Sequence, residues 1–180
     1  VSIQIFILSN LMEQSAYPYQ LKKKLADFKI LDLNNSLSES RLYYNFESLK
    51  KQGLIAVEEV LHEEHRPDKQ MFTITEKGRE QLAGKIYKVF EQAIGIDDMM
   101  VGLGNLEYVD CYRVLAILEK KLDKYKKNWA MITTFDSEKY VTTRYADLRT
   151  MMDAYTTERY EQLIRYMEQI IEYVEQYEKK

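Results

Sequence analysis

The stretch from Ser36 to Leu82, SLSESRLYYNFESLKKQGLIAVEEVLHEEHRPDKQMFTITEKGREQL, switches its hydrophobic period from helical to alternating and back again. Leu42, Phe46 and Leu49 recur at helical spacing, with Ser40, Tyr44, Glu47, Ser48 and Lys51 roughly opposite and Arg41 and Tyr43 on the flanks. Ser36, with Glu39 three residues on, predicts a capping box at the start of this helix, and Gly53 predicts a left-handed residue at its end. Leu54–Glu63 is rich in β-branched residues, but Glu58-Glu59 breaks the alternation as a bulge would. Arg66-Pro67-Asp68 is a turn, and Gln70–Thr75 sets Met71, Thr73 and Thr75 against Phe72 and Ile74, the pattern of a half-buried strand. Thr75 then caps a helix from Glu76 to about Gln92 with Leu82, Ile86, Val89 and Phe90 inward. One short hairpin between two helices leaves apolar faces that another layer must cover.

That layer lies upstream. Ile3, Ile5, Phe6, Ile7, Leu8, Leu11 and Met12 are too dense for a surface helix and suit one buried on most sides. Val1–Met12 lacks a basic leader and a small-residue cleavage site, so it reads as a core helix and not as a signal peptide. Tyr17-Pro18 marks the next boundary, since proline is favoured at a first helical position. Tyr19–Phe28 follows, with Leu21, Leu25 and Phe28 on one stripe and Lys22, Lys23 and Lys24 around the side; Ile30–Asn35 is a connector. Such lysines are ordinarily a solvated face. Two helices, then a helix, a hairpin and a helix, is the order of a winged helix-turn-helix, in which the second helix crosses a DNA backbone and its lysines meet phosphates.

Downstream, Gly95–Asn105 holds three glycines and two aspartates and is expected as a hinge between domains at 1–94 and 106–180. Gly102-Leu103-Gly104 follows no strand and lacks a third glycine, so it is not a dinucleotide loop. Leu106–Trp129 is helical, with Val109, Tyr112, Leu115, Leu118, Leu122 and Tyr125 as the expected stripe, and 133–137 is a break. In the last helix Tyr160, Leu163, Met167, Ile170, Val174 and Tyr177 step alternately by three and four, widened by Ile164 and Ile171. This is a heptad seam, expected to pack against a second copy of the chain as the dimer interface. Tyr145, Leu148, Met152 and Tyr155 form a similar stripe upstream, offset by one residue. The fold class is therefore mostly α: an α+β winged helix-turn-helix followed by a helical dimerisation domain.

Totals narrow the function. With 46% hydrophobic and 31% charged residues the composition is globular. No apolar run reaches the roughly 18 residues of a membrane span. A single cysteine, Cys111, fits a reducing cytoplasm and, in a helix, reads as a small buried hydrophobe. His62 and His65 are the only histidines and fall on opposite faces of an extended segment, which disfavours a shared metal. No nucleophile elbow, phosphate loop or acidic metal cluster is present, so neither an enzyme nor a cofactor is expected. Residues 1–91 carry 13 Lys+Arg and 13 Asp+Glu, and the remainder 13 and 16, so neither half is basic. Any DNA contact must come from a local arrangement of charge, and salt will weaken it.

The chain resembles the PadR family of bacterial transcriptional regulators. The likeness rests on Tyr17-Pro18-Tyr19-Gln20-Leu21, on Leu42-Tyr43-Tyr44, and on Leu49-Lys50-Lys51-Gln52-Gly53-Leu54-Ile55. It continues in Arg66-Pro67-Asp68-Lys69, which runs into Phe72-Thr73-Ile74-Thr75-Glu76-Lys77-Gly78-Arg79. Arg144-Tyr145 early in the last helical region looks like the subgroup with a longer C-terminal domain, which includes phenolic-acid-responsive repressors. His65 and Phe72 depart from the glycine and tyrosine frequent in the family, and Glu58, Glu59, Glu63 and Glu64 make this wing acidic. The resemblance implies a homodimer on a palindromic operator, usually acting as a repressor, and an effector, often a small aromatic compound, that releases the DNA.

The residues expected at DNA are Lys22 and Lys23 on the second helix, Ser40, Arg41, Tyr43 and Tyr44 early in the third, and Arg66 and Lys69 on the wing. Arg41 suits either a guanine edge or a phosphate, and Tyr43 either a phosphate or packing against the wing. Tyr112, Trp129 and Phe135 are the aromatics nearest in character to an effector pocket, although ordinary core packing explains them as well. The competing reading is a winged helix that binds protein partners, with the last helix as an assembly device and no specific DNA binding.

Overall fold

A computed structural model describes residues 2–28, 38–61, 69–134 and 143–179. Among them the order is α1 (Ser2–Glu13), α2 (Pro18–Phe28), α3 (Glu39–Lys51), β1 (Ile55–Leu61), β2 (Lys69–Ile74), α4 (Glu76–Gln92), α5 (Met100–Leu103), α6 (Cys111–Thr133) and α7 (Ala146–Glu178). The mostly-α reading holds, with one antiparallel hairpin as the sheet. Two compact units are distinct: Val1–Val89 with Val101–Tyr108, and Phe90–Met100 with Val109–Lys180.

In the first unit, Ile3, Ile5, Ile7, Leu8 and Leu11 of α1 are buried, which explains why that helix is apolar on most sides. Pro18 opens α2, and the Gln20 side chain accepts from the Tyr17 N–H at 2.8 Å, satisfying a donor that the first turn leaves over. Leu42, Phe46 and Leu49 of α3 lie at 1% exposure or less, each worth about 1.5–3 kcal/mol of burial. The Phe46 ring meets Phe72 of β2 with centroids 5.2 Å apart. The hairpin register slips between Val57 and Glu59, so Glu58 is the bulged residue that the broken alternation predicts. Ala16 extends the sheet: its N–H donates to Phe72 O at 2.9 Å, and Phe72 N–H returns to Ala16 O at 3.0 Å.

Gly53 has φ +70°, the left-handed conformation that closes α3. Thr75 ties three elements together. Its Oγ1 accepts from the Gly78 N–H at 3.1 Å and donates to Gly53 O at 2.7 Å, and its N–H donates to Leu54 O at 3.1 Å. The Gly95–Asn105 segment, expected as a hinge, is built from short helical turns at Asp97–Met99 and Met100–Leu103, with Met99 and Gly102 buried. The helix expected from Leu106 starts later, at Cys111. A separate turn holds Leu106–Tyr108, and the Asp110 side chain caps α6 by accepting from the Tyr112 N–H.

In the second unit α6 and α7 pair antiparallel: Lys126 bridges Glu168 at 2.6 Å, and Trp129 stacks on Tyr160 at 5.8 Å. The inward stripe of α6 is Cys111, Val114 and Leu118: Leu118 is where it was expected, Cys111 and Val114 stand one position before the expected Tyr112 and Leu115, and Tyr112 is 68% exposed. The shift has a physical source: tyrosine spacing alone cannot say whether a ring faces core or water, because it tolerates both. Lys121 donates to Glu91 O at 3.2 Å and Ala93 O at 2.7 Å, capping the end of α4, and burial pushes its ammonium pKa down.

Candidate nucleic-acid interface

α3 begins at Glu39, and its N-cap is Ser38, whose Oγ accepts from the Arg41 N–H at 3.4 Å. The expected capping box at Ser36 is thereby corrected, and Ser36 itself lies outside the described residues. Serines alternate at 36, 38 and 40. Ser38 caps because its backbone is extended while the next residue turns helical.

With Leu42, Phe46 and Leu49 held inward, the opposite face of α3 is fixed. Ser40, Tyr44, Glu47 and Lys51 point away from the core, at the i, i+4, i+7 and i+11 spacing of one helix face, and all are exposed. Tyr44 is 73% and Tyr43 45% exposed. Arg41, also exposed, lies in the first turn. Tyr44, Glu47, Ser48, Lys51 and Gln52 line a shallow depression on this face.

The basic residues expected at DNA are not equally placed. Lys22 pairs with Glu39 at 2.9 Å, joining α2 to the start of α3, and that hydrogen bond raises its pKa. Lys23 lies over the Tyr19 ring at 5.0 Å. Lys24, the third lysine of that helix face, bonds Asn10 at 2.8 Å. Lys50 is turned into the structure, donating to Gln70 at 3.2 Å. Lys69 is exposed at the start of β2, and Arg66 falls outside the described residues, as do His62, His65 and Phe135. The Lys22–Glu39 bridge was missed in the sequence because its partners sit on different helices, and only a contact between those helices reveals it.

The eight seam residues divide. Met167 and Val174 are at 0% exposure within a single chain, whereas Tyr160, Leu163, Ile164, Ile170, Ile171 and Tyr177 are half-buried. The antiparallel register set by Lys126–Glu168 and Trp129–Tyr160 brings α6 across this part of α7. The upstream stripe is open: Tyr145, Leu148, Met152 and Tyr155 are each about half exposed or more, with Met151 at 59% beside them. Among the described residues no group of His, Cys, Asp and Glu is arranged to hold a metal, and no helix is long and apolar enough to cross a membrane.

Residues 7–84 match the family model of the Transcriptional regulator PadR-like family. No curated protein matches the chain. Solved structures similar to it include Bacillus subtilis PadR in complex with operator DNA, at 18% identity over 97% of this chain and 99% of that one, with a TM-score of 0.40. The same B. subtilis protein in complex with p-coumaric acid aligns at 15% identity over 97% and 99%, with a TM-score of 0.37. A Streptococcus mutans UA159 protein, smu.1604c, aligns at 17% identity over 93% and 97%, with a TM-score of 0.39. The matched family is one of regulators and not of enzymes, and its model runs from the middle of α1 to the middle of α4, where the quoted motifs lie. Residues 7–84, the span that holds those motifs, are thus similar to the PadR-like family of transcriptional regulators.

Proposed function

We propose that this protein is a sequence-specific, duplex-DNA-binding transcriptional regulator, acting as a homodimer on a palindromic operator, repressing it, and released by a small aromatic effector. The observation that carries the reading is the division of α3: an apolar stripe wholly buried, and a polar face at Ser40, Tyr44, Glu47 and Lys51 exposed on a packed scaffold. A helix held this way can enter a major groove without unfolding anything. Arg41 and the backbone N–H groups at the start of α3 suit a phosphate or a guanine edge, and Tyr43 and Lys69 the flanking backbone. Lys22 reaches a phosphate only by sharing its charge with Glu39.

Two copies supply the affinity that a module without excess positive charge lacks, because the second half-site is then bound at high effective concentration. For the dimer, α7 offers the half-buried seam residues and the open stripe of Leu148, Met152 and Tyr155. Met167 and Val174 support that surface from behind, against their own chain. The promoter beside the protein's own gene is the first duplex to test, by gel shift at fixed salt and by footprinting. Protection of an inverted repeat, with affinity falling steeply as salt rises, supports the reading; equal binding to every duplex, or none, refutes it. Phenolic acids such as p-coumaric acid, titrated into the complex, should release the duplex if the effector reading is right.

A further inference from the structure

The outward face of α3 carries a carboxylate where it would meet a polyanion. Glu39, at the start of the helix, is neutralised by Lys22 at 2.9 Å. Glu47 differs: it is exposed in the middle of the outward face, and among the described residues none forms a hydrogen bond or ion pair with it. It lines the depression whose other walls are Tyr44, Ser48, Lys51 and Gln52. Ser48 and Gln52 are already bonded to each other at 3.0 Å, and the charged groups of the depression are the Glu47 carboxylate and the Lys51 ammonium, one turn on, neither of which bonds a side chain among the described residues.

We infer that Glu47 is a specificity-determining residue that selects cytosine in each half-site by accepting a hydrogen bond from the base's N4 amino group. The inference rests on the DNA-binding reading above. An ionised carboxylate only accepts hydrogen bonds, and phosphates repel it. It is tolerated in a major groove where a base edge offers a donor. Cytosine presents an amino donor, adenine a donor beside an acceptor, thymine an acceptor, and guanine two acceptors. The order of preference at that position is therefore cytosine, then adenine, then thymine and guanine. Lys51 lies on the same face one turn later and offsets the local negative charge by meeting a phosphate.

The experiment is a competition of randomised half-site duplexes for the full chain, wild type against Glu47→Gln, Glu47→Ala and Lys51→Ala, with circular dichroism to verify each fold. The wild type should favour cytosine at one position per half-site by roughly tenfold or more. Glu47→Gln should move that preference to adenine, which glutamine bonds in two-pronged fashion, while Glu47→Ala should flatten it by raising affinity for the sequences without cytosine at that position. Lys51→Ala should weaken every sequence alike and lower the salt slope by about one. If both Glu47 variants keep the wild-type preference, Glu47 is a solvated bystander and the inference is overturned while the regulator reading stands. If the wild type shows no sequence preference at all, the regulator reading falls and the inference with it.

Discussion

Gly78 and Gly84 stand within one helix, α4, and the same substitution should move stability in opposite directions at the two. A Cβ built on Gly78 would lie 2.1 Å from the Leu54 carbonyl oxygen and 2.7 Å from Ile74 Cγ1, whereas one on Gly84 meets nothing within 4 Å. Ordinary contact begins at 3.4 Å, so alanine at 78 forces the start of α4 back by about 1.3 Å, the difference between 3.4 and 2.1. The carbonyl it strikes accepts the Thr75 N–H, and Thr75 caps the helix at the Gly78 N–H, so the retreat strains both bonds. Overpacking costs about 1–3 kcal/mol and a weakened cap about 1 kcal/mol more, while the helix propensity of alanine returns about 1 kcal/mol. The net for Gly78→Ala is a loss of about 1–3 kcal/mol, which at this chain length lowers Tm by roughly 2–12 °C. Gly84→Ala has only the propensity gain, about 0.5–1 kcal/mol, and raises Tm by roughly 1–4 °C. Calorimetry or thermal circular dichroism on the two variants reads both. A shift of the same sign at the two positions refutes the close approach of α4 to the Leu54 carbonyl.

Arg41→Ala should weaken operator binding by at least roughly 1 kcal/mol, read by gel-shift titration at fixed salt, and an unchanged affinity removes it from the interface. Leu148→Asp with Tyr155→Asp, both exposed in the single chain, should give folded monomers by light scattering that no longer bind the operator tightly; a persistent dimer places the interface elsewhere. Met167→Asp should instead destabilise the α6–α7 pair by several kcal/mol even in a monomeric background, because it puts a charge at 0% exposure. Burial and the nearby Glu178 carboxylate raise the Cys111 thiol above its ordinary value of 9.0. Its contribution to stability is present below that value and is lost as pH rises through the higher folded value. Alkylation of the native protein near pH 8 should accordingly be far slower than that of the unfolded chain, and equal rates refute the assignment.

Much of the first unit was legible in the sequence, since each of its signals is local. Gly53 closes α3 because a left-handed residue is required there, Thr75 caps α4 through its own hydroxyl, and Glu58 bulges because two glutamates interrupt a period of two. The burial of Leu42, Phe46 and Leu49 followed from spacing alone, and with it the outward face that the functional reading uses. Periodicity states that a face must be covered, but it names no cover. The heptad seam of α7 is as regular as a dimer seam, yet α6 of the same chain already fills its centre at Met167 and Val174. Tyr112, on an apparently inward stripe, faces water. The neutralisation of Lys22 by Glu39 and the contrast between Gly78 and Gly84 each depend on atoms distant in sequence brought within bonding range. The sequence by itself determined which residues form helices, strands and caps, since those are decided within a few residues. Only the tertiary structure decided which charges and apolar faces on them remain free, since that depends on what the rest of the chain has already satisfied.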